Sequence, residues 1–273
     1  MRRRDRQTGM TSGSLRRVVT TARTAALALV PAVLLAACGA ADDGAAGDDD
    51  PAGPRTVTVL AAASLTDVLE LVAADLESDH EGVRVELSFA ASSTVVQQVQ
   101  EGAPADVVAL AGQEPLELLE ASNRAGEPVV FTTNTLALAV PADNPAGIEG
   151  PEDLARDGIR LVVCRPEAPC GAAAQTLFAQ LGISPAISSY EPDVRATLAK
   201  VSLGEADAGV VYNTDVATAA DGVLAVEIPP QDNVVSRYPI LAVSDNPLAR
   251  VFIDEVLSAR GQQHLADAGF VAP

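Results

Sequence analysis

Val57-Thr58-Val59-Leu60-Ala61-Ala62-Ala63-Ser64-Leu65-Thr66-Asp67 is an apolar strand that runs into a serine-bearing turn and opens a helix. After Ser64, the apolar residues Leu65, Val68, Leu69, Val72 and Leu76 recur on one helical face until His80-Glu81-Gly82 stops them. The same pattern returns at Leu87-Ser88-Phe89-Ala90-Ala91-Ser92-Ser93-Thr94-Val95. There, residues from Val83 alternate with period two, and Val95, Val96 and Val99 then define a helix closed by Gly102. Strands alternating with helices predict an α/β fold built on a parallel, helix-covered sheet. Each serine turn is also a candidate oxyanion cradle. A helix start leaves backbone N–H groups without intrahelical partners and concentrates the positive end of the helix dipole, and a hydroxyl there adds a donor.

Further along, the spacing predicts strands over 106–111, 129–131 and 135–141 and a helix over 115–122. A second βα series follows, with helices near 151–156, 171–181 and 194–203 and strands at 159–163, 208–212 and 223–228. Asp193 is the evident cap of the 194–203 helix, and Gly204 stops it. The strand 238–243 and the helices 247–258 and 261–268 read as a return onto the first part. These observations predict two lobes joined by two hinge crossovers: residues 55–133 with 236–273 form lobe 1, and 134–235 form lobe 2. The 219 residues from Arg55 to Pro273 suffice for two lobes of about 100 each.

The N-terminal segment reads as an address. Arg2, Arg3, Arg4, Arg6, Arg16, Arg17 and Arg23 precede an uncharged stretch, 25–37, that ends in Leu35-Ala36-Ala37-Cys38-Gly39. We read residues 1–37 as a lipoprotein signal peptide, Cys38 as the lipidated first residue, and 38–54 as a tether of Ala, Gly, Asp and Pro with too little apolar surface to fold. Dual acylation would anchor the protein to the outer face of the cell membrane. Arg16-Arg17 lacks a Ser or Thr directly before it, so the export route stays open.

The formal charge is −19; removing residues 1–37 takes away seven Arg and one Asp, leaving 11 basic and 36 acidic side chains, or −25. Nucleic acid is excluded as a partner on this balance, and an anion would have to be held by local dipoles in a desolvated cleft. With Cys38 assigned to lipid, Cys164 and Cys170 are an even pair in an oxidising compartment, for which a disulfide is the default over a metal pair or free thiols.

Each candidate residue also has a purely structural reading. Ser64-x-x-Asp67 resembles a capping box, and Ser92 and Ser93 can simply open a helix. Arg165 is offset by Glu167, and the Tyr212 hydroxyl can serve as a core donor. Pairing favours function for the serines, because sites in open α/β sheets lie beyond the carboxyl ends of strands. Enzyme chemistry is disfavoured: His80 and His264 are the two histidines, neither sits beside a serine, and no Gly-x-Ser-x-Gly elbow occurs. No metal-ligand spacing stands out.

Ala61-Ala62-Ala63-Ser64-Leu65, Phe89-Ala90-Ala91-Ser92-Ser93-Thr94, Gly102-Ala103-Pro104-Ala105-Asp106, Asp193-Val194-Arg195 and Gly209-Val210-Val211-Tyr212 together resemble the ordered landmarks of the molybdate-binding proteins of ABC transporters. The resemblance covers nearly everything from Thr56 onward. It implies a type II periplasmic-binding-protein fold whose lobes close on molybdate or tungstate, with no cofactor and no catalysis. By motif match the hydroxyls of Ser64, Ser92 and Tyr212 donate, with backbone N–H groups around Ser64, Ser92, Cys170 and Val194 completing the shell. Ala91 stands where relatives often carry another serine, and Cys170 where they often carry alanine. The expected partners are a membrane permease and, through it, a cytoplasmic ATPase, with the receptor a monomer. Another tetrahedral oxyanion such as sulfate or phosphate is the alternative ligand, and a serine hydrolase the alternative class.

Overall fold

The computed structural model describes residues 55–219 and 222–273; the expected signal peptide, Cys38 and the tether lie outside the described residues. Strand β1 (Arg55–Ala62) runs parallel to β2 (Val83–Ala90) on one side and β3 (Val107–Ala109) on the other. The pleat of β1 sends Val57, Val59 and Ala61 into one core cluster and Leu60 into another, so both faces of this sheet are covered. Helix α1 (Thr66–Asp79) buries Val68, Leu69, Val72 and Leu76 on the first face, and α2 (Ser92–Gln100) buries Val95, Val96 and Val99 on the second. The C-terminal helices α7 (Pro247–Leu257) and α8 (Ala259–Asp267) pack beside α1 through Phe252, Val256 and Leu265.

The sheet continues through two strands of opposite sense. β9 (Val235–Ala242) is antiparallel both to β3 and to the first part of β4 (Val129–Pro141). From Leu136 onward, β4 instead pairs with β7 (Ala208–Tyr212) and β8 (Val223–Glu227), both antiparallel. β5 (Leu161–Cys164) then lies parallel between β7 and β6 (Ile187–Glu191). The resulting order is β2-β1-β3-β9-β4-β7-β5-β6, with β8 beside β4. A separate core gathers Leu138, Leu161, Leu177, Leu198 and Val210 under α4 (Pro169–Leu181) and α5 (Val194–Ser202).

Several expectations change. The sheet is mixed and not purely parallel, because β4 and β9 run against their neighbours. The strands predicted at 129–131 and 135–141 are one 13-residue strand with a register shift between Val130 and Thr132. The polar residues between the two expected strands are bonded inside it: the Thr132 hydroxyl donates to the Val271 carbonyl at 3.0 Å and Asn134 Nδ2 to Thr214 Oγ1 at 2.8 Å. The helix expected over 115–122 divides into α3 (Gln113–Leu118) and a 3-10 turn, Ala121–Asn123. It breaks where Leu119 turns extended and the Arg124 guanidinium takes the Leu116 and Leu119 carbonyls. Residues 151–155 are a 3-10 turn. β6 and the five-residue α6 (Asn213–Ala217) were not foreseen; both are too short for periodicity to reveal.

Candidate anion-binding site

The register of β1 on β2 brings the two serine turns together. Ala62 is paired with Ala90, and Ser64 and Ser92 each follow two residues later, at the carboxyl end of the sheet. In the other half of the molecule, β5 leads into α4 at Cys170, β6 into α5 at Val194, and β7 ends at Tyr212. Ser64, Ser92, Cys170, Val194 and Tyr212 all line one cavity, together with Ala62, Ala63, Ala90, Ala91, Ala111, Pro169 and Asp193. It is a narrow cleft, part of it open to solvent. Small side chains bring backbone close to the cavity, and its one charged lining residue, Asp193, spends Oδ1 accepting from the Ala196 N–H at 2.9 Å. Arg165 lies outside this cavity.

Neither serine caps a helix. Ser64 sits inside a 3-10 turn, Ala63–Leu65, and the N-cap of α1 is Leu65, with no side-chain bond. Ser92 is the first residue of α2, and the N-cap position belongs to Ala91. The serine hydroxyls are held by tertiary partners instead. The Ala111 N–H donates to Ser92 Oγ at 2.8 Å, which occupies a lone pair and leaves the serine proton for another acceptor. Ser64 Oγ lies 3.0 Å from the Tyr238 hydroxyl, which can donate in the same way. Tyr238 itself is locked by edge-on rings of Phe131, Tyr212 and Phe270, with centroids 5.6–6.5 Å away.

Tyr212 completes the set. Its side chain is buried and its Oη makes no hydrogen bond of good geometry, although the Ser236 and Tyr238 hydroxyls lie close enough to act on it. Burial pushes its pKa up to about 12, so at neutral pH it remains a donor. The starts of α2, α4 and α5 add first-turn N–H groups that have no intrahelical acceptor. The start of α4 is held by the Cys164–Cys170 disulfide, with Cα atoms 5.7 Å apart. Gly171 is required there, since a Cβ would lie 2.0 Å from the Arg165 carbonyl oxygen.

Sequence reasoning missed the groups around this shell. Tyr238 gave no signal beyond membership of a strand. Arg195, adjacent to Val194, ion-pairs with Asp67 of α1 and donates through Nε to the Ala63 carbonyl at 3.3 Å. Asp215 is buried at the start of α6 and accepts the Tyr212 N–H at 3.0 Å; burial pushes its carboxyl up to about 7 despite the nearby Arg195. Among the described residues, no group of His, Cys, Asp and Glu is placed to hold a metal ion. A site of donors around small apolar residues is suited to holding a deprotonated oxyanion.

Residues 57–271 match the family model described as bacterial extracellular solute-binding protein. The chain is 36% identical over 252 residues to the molybdate-binding protein ModA of Mycobacterium tuberculosis, covering 90% of this chain and 97% of that protein. Its fold superposes on the Azotobacter vinelandii periplasmic molybdate-binding protein with a TM-score of 0.68 at 20% identity, over 80% of this chain and 99% of that one. The sulfate-binding protein SubI of Mycobacterium tuberculosis gives 0.70 at 20% identity, over 79% and 86%. The two lobes and hinge crossovers are thus those of a type II periplasmic binding protein, and relatives that bind solutes displace the serine-hydrolase alternative. The chain belongs to the bacterial extracellular solute-binding protein family.

Proposed function

We propose that this protein is an extracytoplasmic receptor that captures molybdate, and tungstate, by closing two lobes around it and delivers it to an ABC permease. The observation that carries the reading is the composition of the cavity: three hydroxyls and several helix starts converge around small side chains, and the buried Tyr212 Oη makes no well-formed hydrogen bond within the protein. Molybdate is a dianion with no proton at neutral pH, so a shell of donors matches every oxygen, whereas a protonated phosphate needs an acceptor. Ser64, Ser92 and Tyr212 donate from side chains and Cys170 and Val194 from backbone. Lobe 1 comprises 55–133 and 236–273 and lobe 2 comprises 134–235. Cys38 carries the lipid anchor, the tether lets the monomeric receptor reach its permease, and a cytoplasmic ATPase drives transfer.

The test is a thermal shift with competition calorimetry on the purified protein. Molybdate and tungstate raise the melting temperature, by about 2.7 kcal/mol of stability at a hundred times Kd, while sulfate and phosphate do little. The likeness to a sulfate-binding protein keeps sulfate as the second reading, and equal stabilisation by sulfate would favour it.

A further inference from the structure

Arg195 stands where the two halves of the cavity meet. It leaves α5 one residue after Val194 and crosses to the other core, where its guanidinium ion-pairs with Asp67 and its Nε donates to the Ala63 carbonyl, the residue before Ser64. One side chain thus ties the Val194 turn to the Ser64 turn. Behind it lies Asp215, on the same side of the cleft as Arg195, with its side chain fully buried. Asp215 Oδ2 accepts from Tyr212 N–H, but Oδ1 has no hydrogen-bond partner and sits 3.9 Å from Arg195 Nε. Asp215 Oδ1 therefore lacks a hydrogen-bond donor, and Arg195 reaches it only at ion-pair distance because its hydrogen bonds go to Asp67 and the Ala63 carbonyl.

We propose that Arg195 is a two-position latch: in the closed form it holds Asp67 and the Ala63 carbonyl across the cleft, and on opening it falls back onto Asp215 Oδ1. Closing therefore draws Arg195 onto Asp67 and leaves Asp215 Oδ1 at the 3.9 Å seen here, and the difference between the two arrangements sets how long a bound oxyanion is retained. Arg195 is a positioning residue, since it touches the turns that hold the anion and not the anion itself. The side chains of Arg195 and Asp67 are 32% and 45% exposed, so the effect is modest and sensitive to salt.

The inference rests on the oxyanion-receptor reading, and its test separates the two. Stopped-flow measurement of molybdate release from Asp67→Asn should give release about threefold faster than wild type, with association little changed and the ligand-free melting temperature preserved. Simple charge repulsion predicts the opposite, because Asp67→Asn removes a negative charge near a dianion. Asp215→Asn should slow release, and in an Arg195→Gln background neither substitution should alter it further. Release from Asp67→Asn at or below the wild-type rate, or substitution effects that persist without Arg195, overturns the latch. If wild-type protein binds no molybdate, the receptor reading fails. The latch is then decided by small-angle scattering of ligand-free protein, where Asp67→Asn must be more expanded or Asp215→Asn more compact than wild type, and an unchanged radius of gyration in both overturns it.

Discussion

Ser92 and Tyr212 both offer a hydroxyl to the cavity, yet their protein partners differ, and so do the expected consequences of removing them. Ser92 Oγ accepts the buried Ala111 N–H, so Ser92→Ala strands that donor and should cost about 1–3 kcal/mol of stability as well as affinity. Tyr212 Oη makes no well-formed hydrogen bond, only looser contacts with the Ser236 and Tyr238 hydroxyls, so Tyr212→Phe should change the ligand-free melting temperature little. It should still weaken molybdate binding by about 1.5–3 kcal/mol, the contribution of a hydrogen bond to a charged group. Calorimetry and thermal melts on the pair decide this. A Tyr212→Phe protein that binds with wild-type affinity would remove Tyr212 from the shell. Ser64 resembles Ser92, with Tyr238 in the place of the backbone donor. The capping box read from Ser64 and Asp67 fails because Asp67 turns to Arg195, and the serine remains in the preceding 3-10 turn.

At the level of elements, the site depends on where helices begin. α4 starts in a loop closed by the disulfide, and Gly171 in its first turn packs against the backbone of that loop. Gly171→Ala would drive a methyl group into the Arg165 and Cys164 carbonyl oxygens, at 2.0 and 2.7 Å. Because the obstacle is backbone and not a flexible side chain, the helix start must move. The expected cost is about 1–3 kcal/mol of stability, accompanied by a loss of molybdate affinity as the Cys170 N–H shifts. A chemical denaturation curve and a binding isotherm read the two effects together; wild-type values in both would show that the close approach is not needed. α5 is organised differently, since Asp193 caps it through the Ala196 N–H and leaves Val194 at the exposed dipole end.

The whole molecule is acidic, while the ligand proposed for it is an anion. With a formal charge of −19 over the full sequence, its field repels a dianion at long range, and on the proposed function retention comes from short-range donors in the cleft. Added inert salt should therefore speed molybdate association, the reverse of ordinary electrostatic steering, and stopped-flow rates between low and physiological ionic strength check it. Association that slows with salt would mean that a local positive field at the cleft mouth outweighs the net charge. Hydrophobic spacing alone determined the succession of strands and helices, because period and punctuation are local properties: β1, α1, β2, α2, α5, β7 and the C-terminal helices stand close to where their apolar residues put them. The serine turns were legible for the same reason, and their lining of one cavity with Cys170, Val194 and Tyr212 was anticipated through a family resemblance. Only the tertiary structure decided strand direction and the continuity of β4, since these depend on pairing between residues a hundred or more positions apart, such as Val107 with Ala242. It alone decided what holds the hydroxyls. Ala111 and Tyr238 reach the serines, and Asp67 reaches Arg195, through distances in sequence that no local pattern spans, which is why helix caps on paper became tertiary hydrogen bonds in the fold.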